Sequence, residues 1–317
     1  MINKTNKKFY LTIFLLLLAA SMAFSQNFTV NANAELALRS FQKCFPDKIS
    51  SIKYEDNDWV ITAGGETFYW MEGRLLPESE KDKTDDYGLH MFYLIPQKPA
   101  SPDSFSPHYI ETLRSRGTGE ARQERKETHN GFLEIIYGAK SRREIEALIK
   151  RVDFLGFKVS VHKDIAEPLE RIDAAVQKWE GGKDFISSIL SIEGYSWREI
   201  SGTERMSYHS WGLALDIRPK RLGNKAIYWL WERGRNNDWM LVPLDERWNP
   251  PDRVIQLFEQ EGFIWGGKWP LYDNMHFEYR PELHEFTRQL AAKPVSKIDN
   301  NYSDIDLHHI YPDQLVK

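Results

Sequence analysis

The sequence predicts an α+β fold, in which a small antiparallel sheet is flanked by helices and follows an N-terminal extension that contains strands. Apolar residues alternate with small or polar ones over 212–217 and again over 275–279, which is the pattern of strands with one buried face. Helical spacing of apolar residues occurs before these regions, at Ile165, Leu169, Ile172 and Val176. In the extension, Gly64-Gly65 separates two strand-like runs and indicates a hairpin.

The first 25 residues have the composition of a secretory signal peptide. Lysines precede an apolar run from Phe9 to Ala20, and small residues before Gln26 suit cleavage. The run is shorter than the ~20 apolar residues that span a bilayer. We therefore expect an exported protein, periplasmic or extracellular, with no stable membrane anchor after cleavage.

Charge and cysteine content limit the classes of partner and fold. The formal net charge is −4, which gives no sign of a nucleic-acid partner. The single cysteine, Cys44, excludes an intramolecular disulfide framework, and its neighbours Phe41 and Phe45 favour a buried apolar role over a reactive thiol.

Composition divides the chain after the predicted signal peptide into four parts. We expect an accessory region at 26–107, a polar connector at 108–130, a domain at 131–291 that carries the motifs described below, and a polar tail at 292–317. At the start of that domain, Ser141 and Glu144 form a capping box. The apolar spacing that follows predicts a helix continuing past Val152, with Gly156 ending it.

Two potential metal ligands approach one another in the stretch SYHSWGLALDIRP, residues 207–219. Its alternation turns Asp216 away from the apolar side of the predicted strand, while Gly212 and Ala214 keep the same face small. His209 lies seven residues before the aspartate, on the approach to the strand. His209 and Asp216 are therefore expected to approach one another on the strand face that otherwise carries only small side chains.

A second stretch, DNMHFEYRP at 273–281, supplies what a catalytic metal site would still lack. If the apolar side chains of its strand face the core, His276 and Glu278 share the opposite face, and Asp273 lies just before them. Two histidines and one carboxylate leave one zinc position open for water. A further carboxylate beside that water can act as general base. We predict that His209, Asp216 and His276 bind Zn²⁺ and that Asp273 transfers the proton.

These stretches, together with GFIWGGKW, resemble the zinc peptidases of bacterial cell-wall metabolism. That family includes D-alanyl-D-alanine carboxypeptidases, vancomycin-resistance peptidases and phage L-alanyl-D-glutamate endopeptidases. The shared pattern is a histidine, six intervening residues and an aspartate, followed by an acidic residue three before the last histidine. The stretch GYSWREISGTERMSYHSWG and the aspartate at 273 look closest to the phage endolysin branch. The likeness extends over about residues 131–286 and implies a fold of the Hedgehog and D,D-peptidase type.

Carried onto this sequence, the resemblance implies the same zinc ligands and the same base, and adds an arginine that binds substrate or polarises the scissile carbonyl. Arg198 matches an arginine of the endolysin-like stretch and is favoured, whereas Arg205 lies nearer the ligands in the chain. Either guanidinium can hold a carboxylate through paired donors. We also expect Ser207, Trp211 and Trp265 to contact substrate, and Glu278 to be an outer partner of a metal ligand.

The expected activity is hydrolysis of peptidoglycan stem peptides through a metal-activated water. The enzyme would be of the D-alanyl-D-alanine carboxypeptidase or the L-alanyl-D-glutamate endopeptidase type. The alternative is a noncatalytic zinc-stabilised module that binds the cell wall. The intact Asp273 argues against that alternative.

Overall fold

The N-terminal part of the chain forms a helix followed by a meander of antiparallel strands. The computed structural model of the protein describes residues 34–90, 92–123, 126–200 and 206–292. Helix α1 covers residues 34–44. The strands pair in chain order, and they are β1 (Ile49–Glu55), β2 (Asp58–Ala63), β3 (Glu66–Met71) and β4 (Arg74–Pro77). The predicted hairpin is present, because Ala63 pairs with Glu66 across Gly64 and Gly65, both of which have positive φ.

Short helices and a two-stranded hairpin connect this sheet to the central one. They are α2 (Pro107–Arg116), α3 (Gly119–Gln123), α4 (Gly131–Tyr137), α5 (Arg142–Leu148), β5 (Ile149–Phe154), β6 (Phe157–His162), α6 (Lys163–Lys178) and α7 (Gly182–Ser188). Among the helices in the described ranges, none combines the length and the apolar character that crossing a membrane requires.

The helix predicted from Ser141 towards Gly156 is shorter than expected. Ser141 does cap it, since its side chain accepts a hydrogen bond from the Glu144 backbone. The helix nevertheless ends at Leu148, and β5 follows, paired with β6. Gly156, at φ +83°, forms the hairpin turn instead of a helix end. Short apolar spacings fit both helix and strand, and here cross-strand pairing decides between them.

The central sheet is small and antiparallel, as predicted, and helices flank it, so the α+β assignment is confirmed. Its strands are β7 (Ile189–Glu193), β8 (Ala214–Pro219), β9 (Phe263–Trp265) and β10 (His276–Tyr279), in the order β7-β8-β10-β9. The remaining helices are α8 (Trp229–Arg233), α9 (Asp252–Gln260) and α10 (Pro281–Ala291).

One face of the central sheet lies in the main hydrophobic cluster. Leu215 and Ile217 of β8 and Phe277 of β10 are fully buried there, and Phe277 stacks on Phe258 of α9 with ring centroids 4.0 Å apart. The same cluster includes side chains of α1, of the N-terminal sheet and of α6. Because side chains alternate along a strand, the burial of Leu215 and Ile217 turns Asp216 to the opposite face.

Gly212 occupies a position where a larger residue would be strained. It ends the 3₁₀ turn before β8 with φ +68°, and an added Cβ would lie 2.7 Å from the His162 nitrogen and 2.6 Å from Ile149 Cδ1. We expect Gly212→Ala to lower the free energy of unfolding by about 2–5 kcal/mol, measured by urea denaturation. Roughly 1–2 kcal/mol comes from the left-handed conformation and about 1–3 kcal/mol from overpacking.

Gly156→Ala is the matched control for this prediction. Gly156 also has positive φ, but no described atom lies within 4 Å of its added Cβ. In Gly156→Ala, the free energy of unfolding should fall only by the part that comes from the left-handed conformation. Equal losses in the two variants would contradict the role assigned to close packing at Gly212.

Candidate metal centre

The register of the central sheet brings Asp216 and His276 side by side. They are direct partners in the antiparallel pairing of β8 and β10, so their side chains lie on the same face. The His276 Nδ1 atom is 2.8 Å from Asp216 Oδ1. On the other face, the neighbouring pair Leu215 and Phe277 anchors both strands in the core.

His209 reaches the same point from the 3₁₀ turn Tyr208–Trp211. Ser207 caps this turn, since its Oγ accepts a hydrogen bond from the His209 backbone nitrogen at 3.3 Å. The His209 Nε2 atom lies 3.2 Å from Asp216 Oδ2. His209, Asp216 and His276 thus form a buried cluster with one potential ligand atom each, all within 4.8 Å of one another.

The hydrogen bonding of His209 tests whether this cluster suits a metal ion. Its Nδ1 is 2.7 Å from the Gly194 carbonyl oxygen, which can only accept, so we place the ring proton on Nδ1. Nε2 then directs a lone pair towards Asp216, and it has no hydrogen-bond partner among the described residues. Two buried acceptors that face each other are stabilised by a cation between them, which is either a proton that makes His209 an imidazolium or a metal ion. The cluster therefore fits zinc, for which two histidines and a carboxylate are a known ligand set.

Asp216 has the charge that such a site requires. Burial by itself raises the pKa of this carboxyl group, but the neighbouring His209 and His276 outweigh that effect and hold its pKa well below the usual value. Asp216 is therefore an anionic donor at neutral pH.

Glu278 lies behind His276, on the side away from Asp216. It follows His276 by two residues on β10 and pairs with Ala214, whose small side chain leaves room on that face. The Glu278 Oε2 atom is 3.3 Å from His276 Nε2. A carboxylate at this nitrogen fixes the tautomer and orientation of a ligating histidine.

Two further charged residues extend this arrangement into the interior. Glu278 Oε1 is 3.5 Å from Arg280 Nη1, and Arg280 Nε donates to Glu282 Oε1 at 2.5 Å. All three side chains are 2% exposed. Arg280 and Glu282 were not identified from the sequence, although charged residues at every second position after His276 are a signal that points to them. We refer to Glu278, Arg280 and Glu282 as the buried charge chain.

A cavity of about 280 Å³ opens over the cluster, and Asp273 lines it beside the three candidate ligands. The backbone of Asp273 is fixed, since its N–H donates to the Gly266 carbonyl at 3.1 Å and its carbonyl accepts from the His276 N–H at 3.2 Å. Asp273 is 6% exposed and borders the space in which a substrate would contact the cluster.

Arg198 also lines the cavity, with its Nη2 atom 3.8 Å from Asp216 Oδ2. Its backbone is tied to the 3₁₀ turn, because Ser210 Oγ accepts from the Arg198 N–H and donates to the Arg198 carbonyl. Ser207 lies in the cavity wall as well. Arg205, the competing candidate, lies outside the described residues.

The two tryptophans predicted to contact substrate do not line this cavity. Trp265 is 3% exposed, pairs with Phe277 across β9 and β10, and therefore lies on the core face. Its indole nitrogen donates to the Asn274 carbonyl at 2.9 Å. Trp211 lines a separate small cavity, which is also lined by Arg280. Contact between these tryptophans and substrate remains a prediction, and the lining of this cavity does not support it.

Other residues of the wall were not predicted to have a role in the site. The sequence marks the region after Tyr228 as rich in tryptophan, but its position over the metal cluster depends on the long connection between β8 and β9. The unpredicted side chains in the wall are Glu193, Ile200, Arg218, Tyr228, Leu230, Trp231 and Met275.

Comparison with known families agrees with this geometry. Residues 201–279 match the family described as D-alanyl-D-alanine carboxypeptidase, and residues 37–92 match a domain of unknown function. No curated protein and no solved structure matches the chain significantly. The carboxypeptidase match contains the whole cluster and confirms the resemblance, although over a shorter stretch than 131–286. The stretch that resembles a D-alanyl-D-alanine carboxypeptidase is thus the one that holds the three candidate metal ligands.

Proposed function

We propose that the protein is an exported zinc peptidase that hydrolyses peptidoglycan stem peptides, with D-alanyl-D-alanine carboxypeptidase or L-alanyl-D-glutamate endopeptidase specificity. The observation that carries this proposal is the buried cluster of His209, Asp216 and His276 within the stretch that matches the carboxypeptidase family. The composition of residues 1–25, which lie outside the described residues, supports export.

Zinc, when bound by the cluster, would supply a water of lowered pKa and would polarise the scissile carbonyl. The roles of the protein side chains follow from their positions in the cavity wall. Asp273 takes the proton of the attacking water on its carboxylate and returns it to the departing amine. Arg198 donates hydrogen bonds to the oxygen that gains charge or to a substrate carboxylate. Glu278 keeps the ring of His276 in one orientation.

The size of the cavity restricts what it can enclose. At about 280 Å³ it is near the lower end of the ~300–1,000 Å³ of typical ligand sites. As formed by the described residues, it therefore encloses only part of a stem peptide.

Purified protein incubated with muropeptides tests the proposal by mass spectrometry. We expect cleavage in the presence of zinc, loss of cleavage with a chelator, and recovery when zinc is restored. The product mass separates removal of a terminal D-alanine from scission after L-alanine. Wild-type protein should retain about one zinc ion per chain.

His209→Ala should lose both the zinc and the cleavage, because it removes one of the three donors in the cluster. His108→Ala is the matched control, since His108 is exposed on α2 and should leave both unchanged. Cleavage that is absent, or that is insensitive to the chelator, would contradict the proposal.

A further inference from the structure

The cavity contains a second guanidinium besides that of Arg198. Arg218 follows Asp216 by two residues on β8, so both side chains lie on the same face of the sheet, roughly 6.5 Å apart along the strand. The side chain of Arg218 lines the cavity together with Trp231. The guanidinium carbon of Arg218 is 5.6 Å from the centre of the Trp231 ring, which is within the range of a cation–π contact.

The ion pair made by Arg218 leaves it accessible to a ligand. Arg218 Nη1 is 3.8 Å from Glu193 Oε1, and the two side chains are 43% and 61% exposed. Ion pairs of this length and exposure contribute little to stability, so a carboxylate with better geometry can replace Glu193. Arg280 differs in this respect, because it is 2% exposed and held within the buried charge chain.

Building on the proposed function, we propose that Arg218, supported by Trp231, binds a substrate carboxylate one or two residues away from the bond that is cut. An extended peptide advances ~3.3–3.6 Å per residue, so two residues span the distance from Asp216 to Arg218 along the strand. The planar guanidinium matches a carboxylate through two parallel hydrogen bonds, and the flat face of Trp231 restricts its orientation.

Stem peptides whose third residue is lysine offer this chemistry at two places, and such a peptide is used in the test. One is the free carboxylate on the glutamate residue, and the other is the carboxylate at the C-terminus. Both are the same chemical group, so peptides in which one of them is converted to an amide distinguish the sources.

The test uses a stem peptide and its two single amides, with the wild-type protein and Arg218→Gln. For each peptide, kcat/KM is measured, and binding is measured separately by calorimetry on the zinc-loaded Asp273→Ala background. We expect the wild type to prefer the free acid over one amide by about tenfold, the lower range for a hydrogen bond to a charged group, because Arg218 is half exposed. Arg218→Gln should lose that preference.

Two further variants sharpen the result. Glu193→Gln removes the carboxylate that competes for Arg218, so it should increase the affinity for the free acid by a few-fold. Arg142→Gln is the matched control, because Arg142 is an exposed arginine paired with Glu146 at 2.8 Å and does not line the cavity. This control should keep the wild-type preference.

Each outcome decides the proposal. The amide that weakens binding identifies the recognised carboxylate, provided that Arg218→Gln removes the difference. The subsite would be overturned if the wild type showed the same kcat/KM and affinity for all three peptides. It would also be overturned if Arg218→Gln lowered these quantities equally for all three. Carboxylate-dependent binding without cleavage would support the subsite and contradict the peptidase, whereas cleavage without that dependence would contradict the subsite alone. Absence of both binding and cleavage would overturn both.

Discussion

Replacing Asp273 by alanine is expected to lower kcat by about 10²–10⁴-fold, the usual contribution of a general acid–base group, while zinc content is unchanged. The separation of the two effects follows from the geometry. Asp273 lines the cavity, but the cluster of potential ligand atoms consists of His209, Asp216 and His276. Cleavage of muropeptides followed by chromatography measures kcat, and elemental analysis measures zinc.

Asp273→Asn and Asp245→Ala complete this experiment. The asparagine variant keeps the size of the side chain and removes its basicity, so it should lose activity to a similar extent. Asp245 lies exposed in the 3₁₀ turn Leu244–Glu246 and should tolerate substitution. The noncatalytic wall-binding alternative predicts instead that Asp273→Ala leaves every measurable function unchanged. Retention of cleavage in Asp273→Ala would rule out the assigned base.

The positions of Asp216 and His276 were accessible from the sequence because they depend on a local rule. Alternation along a strand assigns each side chain to a face, and the core residues Leu215 and Phe277 identify the buried face. Local rules also gave the capped start of the helix at Ser141 and the hairpin at Gly64-Gly65. In each case, the decisive interactions lie within a few residues along the chain.

The features that could not be read from the sequence depend on long-range pairing. Trp265 belongs to a strand of three residues, and its face is set by its pairing with Phe277 on β10. The stretch after Leu148 has apolar spacing that suits a helix, yet pairing with β6 makes it a strand. Arg218 and Trp231 meet in the cavity wall because a connection outside the sheet folds back over it. Spacing along the chain does not encode such contacts.

The buried charge chain was not identified from the sequence for a different reason. Arginine and glutamate are rarely buried unless they are paired, so sequence alone favours an exposed position for Arg280. In the structure, Glu278 and Glu282 flank Arg280. The three side chains can be buried together because their opposite charges compensate one another. Although burial alone lowers the pKa of Arg280, Tyr208, Glu282 and Glu278 hold it well above the usual value, so the guanidinium remains charged.

Arg280→Met is expected to lower the free energy of unfolding by about 3–5 kcal/mol, since breaking a buried ion pair leaves charge uncompensated. The substitution removes the guanidinium from between Glu278 and Glu282, both of which are 2% exposed. Urea denaturation in the presence of a chelator measures the loss without a contribution from zinc binding. Arg288→Met is the matched control, because Arg288 is 59% exposed and its pair with Glu285 should contribute at most about 1 kcal/mol.

A second measurement connects the buried charge chain to the metal centre. Glu278 contacts His276 Nε2 with one oxygen and lies 3.5 Å from Arg280 with the other, so losing Arg280 should also loosen the orientation of the histidine. We expect the zinc affinity of Arg280→Met to fall by about 10–100-fold, the range found for outer partners of metal ligands. Adding Glu282→Gln removes one of the two uncompensated charges and should restore part of the stability. It should not restore zinc affinity, because Glu278 would still lack the guanidinium that positions it. Recovery of both quantities together would show that the chain acts on folding alone.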